Sequence, residues 1–387
     1  MTITAPVRAW YRPMRARRPD EEHRSATPLE LFFDLCFVVA VAQAAAGLHH
    51  ALAAGHLGHA LVSYLTVFFA VWWAWMNFTW FASAYDTEDD VYRLTTLVQI
   101  AGALILAAGV PRAFAEADFA TITVGYVVMR LAAVLNWLRA AAGDPERRST
   151  TVSYAVGVTV VQVGWLLRLL LPHEGGLPVF LVLVLADLLV PVVAERRGMT
   201  TWHPHHIAER YQLFTLIVLG EVVLSTSMAI QGGVDAGNPG LWPLAVAGTV
   251  IVFALWWLYF DRPGPVPPTS LRGALFWGYG HYLIFAAIAA VGAGLAVAVD
   301  HVLHAAHVSG RVAGYATAVP VAGYLLTLWA LHLPAKHGLG RVLFPAAALL
   351  VLVAPRLVAP LDVIAGVLLV LVAVTLLRRH RSRTRTA

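Results

Sequence analysis

Residues 28–37 read Pro28-Leu-Glu30-Leu-Phe-Phe-Asp34-Leu-Cys-Phe37, and they open the first long apolar segment of the chain. This stretch places two carboxylates inside the segment. Glu30 and Asp34 are four residues apart, so on a helix they share one face. Because an ionisable residue inside a membrane span is costly, both are candidate functional residues. The alternative is that both acids lie near one end of the span and only anchor it, although Asp34 is about one turn deeper.

The composition predicts an integral membrane protein. Of the 387 residues, 59% are hydrophobic and only 13% are charged, whereas a soluble domain carries about 25% charged residues. The apolar runs have about the 20 residues that a helix needs to cross a bilayer core of roughly 30 Å. They lack the alternating pattern of an outer-membrane barrel. We therefore expect an all-α, polytopic membrane protein, with no cleavable signal peptide because the first apolar run is too long for one.

The apolar runs predict twelve membrane spans in two six-helix repeats. The predicted organisation is a basic tail (1–28), a first repeat (29–195), a linker (196–210), a second repeat (211–377) and a second basic tail (378–387). Only Ala354-Pro355-Arg356 and Pro360 divide the last two spans, so eleven spans remain an alternative. Basic residues concentrate in the two tails and in alternate loops. By the positive-inside rule this pattern favours an even number of spans, with both termini in the cytoplasm.

Two short similarities support the repeat. Residues 29–32 (Leu-Glu-Leu-Phe) align with residues 211–214 (Tyr-Gln-Leu-Phe), and residues 69–73 align with residues 253–257. These pairs occupy matching places in the first two spans of each half, as parallel repeats would. Chance similarity between apolar helices is the alternative. The second half has no aspartate at the place of Asp34, and its acid, Glu221, lies further along the span.

Few polar residues occur deep within the predicted spans. Arg130, Asp187, Glu221 and His281 fall near the middle of theirs. Unpaired charge there is unfavourable, so these groups should face the interior and pair with one another or with water. Arg130 is the only deep cation in this interpretation, and it could neutralise Asp34, Asp187 or Glu221. A buried ion pair that only fixes helix register is the structural alternative.

The sequence predicts no cofactor, no metal site and no enzymatic activity. Sixteen histidines are present, but no HExxH motif, no phosphate-binding loop and no hydrolase arrangement accompanies them. The single cysteine, Cys36, supports neither a disulfide nor a cysteine metal site. The excess of basic charge is a topology signal, and it does not indicate a nucleic-acid partner.

Two motifs resemble a known family. Residues 28–40, Pro-Leu-Glu-Leu-Phe-Phe-Asp-Leu-Cys-Phe-Val-Val-Ala, and residues 206–221, from His206 through Glu209-Arg210 to Gly220-Glu221, resemble the bacterial low temperature requirement A family. The family is named for a cold-growth phenotype, so the resemblance implies a membrane location more than a reaction. The first helix is also similar to that of a potassium-channel family with a Phe-Ser-Asp motif. Here Phe33 stands in place of the serine, and this weaker likeness is an analogy.

The leading functional hypothesis is transport or conduction of a small ion or solute through a path between the repeats. The predicted path residues are Glu30, Asp34, Glu221, Asp187 and His281, with Arg130 as counter-charge and His206, Glu209 and Arg210 as a cytoplasmic gate. The expected partners are the lipid bilayer, the small ion or solute, and a possible second copy of the chain. A non-transporting factor in cold stress, membrane stress or lipid homeostasis is the alternative. An intramembrane enzyme acting on lipid is a weaker alternative, because His281 is the only deep histidine.

Overall fold

The computed structural model describes residues 9–22, 24–171, 176–235, 237–261, 267–332 and 340–383. Parts of both predicted tails, residues 1–8, 23 and 384–387, lie outside this described portion. Within it the fold is all-helical, and the prediction of an all-α protein is confirmed. Twelve α-helices follow one another: α1 (Pro28–Ala53), α2 (Leu57–Tyr85), α3 (Asp90–Glu116), α4 (Ala120–Gly143), α5 (Arg148–Arg168), α6 (Gly176–Glu195), α7 (Pro204–Asp235), α8 (Leu241–Phe260), α9 (Leu271–Val302), α10 (Gly310–His332), α11 (Gly340–Val353) and α12 (Pro360–Arg383).

Eleven helices of the described ranges are long and apolar enough to cross a membrane. The exception is α11, whose 14 residues rise by about 21 Å, at 1.5 Å per residue. That length is less than the roughly 30 Å of the hydrocarbon core. A 3₁₀ turn, Ala354–Arg356, extends α11 towards α12. The chain is a multi-pass membrane protein, and its described residues form twelve α-helices, of which eleven are long enough to span a membrane.

Local sequence determines where α1 begins. The backbone N–H of Thr27 donates to Oε2 of Glu30 at 2.7 Å, and the backbone N–H of Glu30 donates to the Thr27 hydroxyl at 3.3 Å. This reciprocal pair is a capping box, in which two of the unpaired N–H groups at a helix start find acceptors. Pro28 is the first helical residue, where its missing N–H has no cost. Glu30 is therefore held at the first turn of the helix.

Helix α7 begins earlier than the hydropathy predicts. Its predicted span starts at residue 211, but the helix starts at Pro204. Proline is favoured at this first position, and the next two turns carry polar side chains that hydropathy does not count. Residues 204–210 are therefore helical, and they belong to α7 together with the apolar residues that follow.

The chain divides into two compact units. The first unit comprises Met1–Ala40, Phe69–Tyr211 and Val266–Ala274, and the second comprises Val41–Phe68, Gln212–Pro265 and Leu275–Ala387. Within the first unit α3 packs on α4, α4 on α5 and α5 on α6. Within the second, α12 packs on α8 and α11, and α10 packs on α11. The division into two six-helix repeats stays a prediction.

The contact between α3 and α4 depends on glycine. A Cβ atom added at Gly125 would lie 2.5 Å from the carbonyl oxygen of Gly102, and one added at Gly102 would lie 2.7 Å from that of Gly125. Real Cβ atoms do not approach that closely, so the two backbones can meet here only without side chains. Small residues at helix crossings are the usual way in which membrane helices pack closely.

Residues 9–22 and 24–27 form a segment, here called the N-terminal strap, that packs along the first unit. Met14 is fully buried, and the backbone N–H of Arg17 donates to the carbonyl of Ala84 at 2.8 Å. Asp89 accepts from the backbone N–H of Arg12 at 3.0 Å and from Arg139 of α4 at 2.6 Å. The basic segment that the positive-inside rule uses is therefore also a packed element, and it covers the connection between α2 and α3.

Candidate functional site

Six ionisable side chains meet in the first unit, each no more than 7% exposed to solvent. We call this set the buried charge cluster. The acids Glu30 and Asp34 come from α1, and His206 and Arg210 come from α7. Arg24 comes from the strap, and Asp86 follows the last residue of α2. Charges buried to this degree are tolerated only when they are paired.

Asp34 is held at both carboxylate oxygens. Arg210 donates from Nε to Oδ2 at 2.9 Å and from Nη2 to Oδ1 at 2.5 Å. The indole N–H of Trp75 donates to Oδ1 at 2.7 Å. The guanidinium also lies over the ring of Phe78, 5.6 Å from its centroid. Two-point pairing of this kind is among the strongest charge-assisted interactions in proteins, so Asp34 and Arg210 form a rigid pair.

Glu30 is the centre of the cluster. Its Oε1 lies 3.2 Å from Nη1 of Arg210, 3.1 Å from Nε2 of His206 and 3.3 Å from Nη2 of Arg24. The contact with His206 is at ion-pair distance but lacks hydrogen-bond geometry, and Nδ1 of His206 makes no hydrogen bond within the described residues. Glu30 thus contacts both His206 and Arg210 of α7 and Arg24 of the strap.

The pairing between α1 and α7 follows from matched spacing. The acids Glu30 and Asp34 are four residues apart on α1, and His206 and Arg210 are four residues apart on α7. Each pair therefore occupies one helix face. The two acids of α1 face the two basic side chains of α7. The sequence contained this signal, but the prediction placed residues 206–210 in a loop and did not pair them with α1.

Asp86 and Arg24 are the members of the cluster that sequence reasoning missed. Nη2 of Arg24 lies 3.8 Å from Oδ2 of Asp86 and donates to the carbonyl of Ala82 at 3.3 Å. Asp86 also accepts from the backbone N–H of Glu88 at 2.9 Å. Both residues lie in polar segments outside the apolar runs, and no local pattern shows that the strap buries them.

The two aspartates of this connection have opposite pKa shifts. Burial raises the pKa of Asp86 to about 7, repulsion from Glu30 adds to the increase, and the Glu88 N–H and Arg24 oppose it. Burial also disfavours the charged form of Asp89. There, however, the backbone N–H groups of Tyr92 and Arg12 and the side chain of Arg139 outweigh burial and lower the pKa. Arg139 lies 2.6 Å from Asp89, whereas Arg24 lies 3.8 Å from Asp86, and this accounts for part of the difference between the two pKa values.

Arg130 pairs with Asp187 and not with Asp34. Its Nη2 lies 3.2 Å from Oδ1 of Asp187 and donates to the hydroxyl of Tyr126 at 2.6 Å. Trp165 donates to Oδ2 of Asp187 at 2.8 Å. Among the described residues Arg130 is not the only buried cation, because Arg210 is fully buried as well. Arg210 lies in the first turns of α7, before the span that hydropathy predicts.

The remaining predicted site residues have separate surroundings. Glu209 is half-buried, and its Oε2 accepts from the backbone N–H of Ala26 at 3.2 Å, so it holds the strap. In the second unit, Glu221 is half-buried and forms no hydrogen bond or ion pair with described residues. His281 is fully buried, with Nδ1 2.7 Å from the carbonyl of Trp277 and Nε2 3.2 Å from the hydroxyl of Tyr259.

Comparison with known proteins identifies one family. The model of a family described as "Bacterial low temperature requirement A protein (LtrA)" matches residues 25–377. An uncharacterized protein of Rhizobium meliloti (strain 1021) is 26% identical over 290 residues, which cover 70% of this chain and 69% of that protein. The family match includes every residue of the buried charge cluster except Arg24, which immediately precedes it.

Proposed function

Because the chain belongs to the bacterial low temperature requirement A protein family, we propose that it transports a small ion or solute across the bacterial plasma membrane. The observation that carries this proposal is the burial of Glu30, Asp34 and Arg210 at 1% exposure or less. All three belong to helices long enough to span a membrane. Ionisable residues in such helices commonly mark ion, proton or substrate pathways.

The cost of burying charge favours a functional role for the cluster. Removing two charges from water costs several kcal/mol per ion, and hydrophobic replacements of similar volume are often about as stable as a buried pair. Stability alone therefore gives little reason for six ionisable groups in one place. A site that must bind and release a charged species requires such groups.

A second acid in the second unit supports the proposal. Glu221 lies in α7, also a candidate span, and no ion pair with described residues neutralises it. We assign Asp34, with Glu30, and Glu221 as two unlike stations for the transported species, and we assign no catalytic role to any residue.

The test is flux into liposomes that contain the purified protein and a pH-sensitive dye, under imposed K⁺ and Na⁺ gradients. The proposal expects flux above that of empty liposomes, with a loss in Asp34→Asn and in Glu221→Gln. The matched control is Glu116→Gln, which removes an exposed acid on α3. Flux at the wild-type level in both Asp34→Asn and Glu221→Gln would falsify these site assignments.

A second function is favoured by one observation, the closed pairing of Asp34. Arg210 and Trp75 donate hydrogen bonds to both of its oxygens, which is the arrangement expected of a purely structural ion pair. This supports a non-transporting membrane factor in cold stress, membrane stress or lipid homeostasis. In that case the reconstituted protein shows no flux, and Asp34→Asn changes thermal stability alone.

The proposed topology places both termini in the cytoplasm. With twelve crossings the two ends lie on one side, whereas a non-spanning α11 would put them on opposite sides. Reporter fusions at both ends decide the matter, and opposite reporter signals would contradict the proposed topology.

A further inference from the structure

We propose that the buried charge cluster binds one exchangeable proton, and that the carboxylate of Asp86 holds it. The inference rests on the proposed transport function for the use made of the proton, which would be the coupling ion. Protonation forms one O–H bond on the carboxylate, and deprotonation returns the proton to water through the strap side of the cluster.

The count of charges in the cluster leads to this conclusion. Three carboxylates (Glu30, Asp34 and Asp86) face two guanidinium groups (Arg24 and Arg210). The two guanidinium groups leave one negative charge to be balanced by a proton, on His206 or on one of the carboxylates, in a region that is no more than 7% exposed. An uncompensated buried charge is strongly unfavourable, and such a group usually becomes neutral instead. One bound proton restores the balance.

The contacts select Asp86 among the three acids. Asp34 has three hydrogen bonds, two of them from Arg210. Glu30 has three basic side chains within 3.3 Å. Among the described residues, Arg24 is the one cation within 4 Å of Asp86, at 3.8 Å; it donates no hydrogen bond to Asp86 and also pairs with Glu30. Asp86 is therefore the acid whose negative charge is least compensated.

The groups around Asp86 reinforce this choice. From the strap, Arg17 is already paired with Glu21 at 2.7 Å. From α3, the fully buried hydroxyl of Tyr92 makes no hydrogen bond within the described residues. The charged and titratable groups that act on Asp86 are Arg17 and Arg24 of the strap, Glu30 of α1, Glu88 of its own turn, Tyr92 of α3 and, through Glu30, His206 of α7. The upward pKa shift of Asp86 agrees with this set.

A cavity borders the cluster at Arg24. It has a volume of about 720 Å³ and is lined by the strap and the start of α7, including Asp20, Glu22, Arg24 and His205. Arg24 belongs both to this lining and to the pair with Asp86. Of the two aspartates in the cluster, Asp86 is therefore the one whose paired cation borders a cavity.

Infrared difference spectroscopy of the full-length protein in lipid nanodiscs tests the proposal between about pH 5 and about pH 8. We expect the C=O stretch of a carboxylic acid that disappears as the pH rises through about 7. This band should shift when aspartate carries a ¹³C carboxyl, and it should be absent in Asp86→Asn. The matched control is Glu88→Gln, an exposed acid of the same turn, which should keep the band.

Arg24→Gln is the second variant. Removal of the nearest cation should move the midpoint of the band to higher pH, and this result stands even where Asp86→Asn fails to fold. The proposal is overturned when no such band occurs, when labelled aspartate does not shift it, or when it persists in folded Asp86→Asn. The infrared band of the carboxylic acid is measured in nanodiscs, where no ion flux is needed. A protein that binds the proton but moves no ion therefore contradicts only the transport proposal, and one that moves ions without the band contradicts only the proton site.

Discussion

Replacement of Arg210 by methionine tests whether the buried charge cluster stabilises the fold as a set of mutually dependent charges. Methionine keeps most of the apolar volume beside Phe78 and removes the guanidinium. Asp34 then retains only the hydrogen bond from Trp75, while Glu30 retains His206, Arg24 and the Thr27 N–H. Asp34 becomes a buried carboxylate without a cation.

Removal of one partner from a buried pair costs about 3–5 kcal/mol. At the roughly 2 °C per kcal/mol expected for a large protein, this corresponds to a decrease in Tm of roughly 6–10 °C. The assay is thermal unfolding in detergent, followed by intrinsic tryptophan fluorescence at a fixed scan rate. The matched control is Arg112→Met. That arginine pairs with Asp118 at 2.6 Å, but its side chain is 58% exposed, and pairs of this kind contribute about 0–1 kcal/mol.

The double variant Asp34→Leu/Arg210→Met makes the test specific. Removal of both charges removes the uncompensated carboxylate, so the double variant should be more stable than the sum of the single effects predicts. The coupling should be about 1–3 kcal/mol. Strictly additive effects, or an Arg210→Met protein as stable as wild type, would refute the claim that these two residues stabilise the fold as a pair.

Three further predictions concern the surrounding structure. The folded-state pKa of Asp86, about 7, exceeds its ordinary value of 3.8. Its contribution to stability is therefore full below about pH 4 and is lost as the pH rises through about 7. Asp86→Asn, which resembles the neutral form, should gain roughly 3 kcal/mol relative to wild type between about pH 5 and about pH 8, measured by thermal unfolding at both pH values; equal differences would contradict it. Gly125→Ala should cost about 1–3 kcal/mol because its Cβ meets the backbone of α3, whereas Gly220→Ala, with open space around it, should have no such cost. Asp89→Asn removes the charged partner of Arg139 and should release the strap to limited trypsin digestion, and unchanged digestion would argue against that role.

The helices could be predicted because the bilayer leaves few alternatives. About 20 apolar residues in lipid must satisfy their backbone groups internally, and within one segment only a helix does so. Hydropathy therefore predicted twelve spans, and the described residues form twelve α-helices. It failed at the start of α7, where the first two turns are polar and the helix is stabilised by contacts that apolar periodicity does not measure.

The candidate site could be predicted only in part. Glu30 and Asp34 stood out because they interrupt an apolar run, and Arg130 and Asp187 stood out for the same reason. Their partners did not follow from the sequence. Arg210 lies 176 residues from Asp34, and several acids were chemically acceptable partners for Arg130, so only packing could select among them.

The sequence by itself determined the class of protein, the helices, the capping box at Thr27 and Glu30, and the acids within the first span. These are consequences of composition and of contacts within a few residues. The tertiary structure alone decided that Asp34 pairs with Arg210 and that Asp86 is left with a distant, shared cation. Burial of Arg24 and Asp86 arises when the strap folds over them. A polar residue in a loop becomes a desolvated charge only when distant segments exclude water from it, and no local pattern in the chain records that.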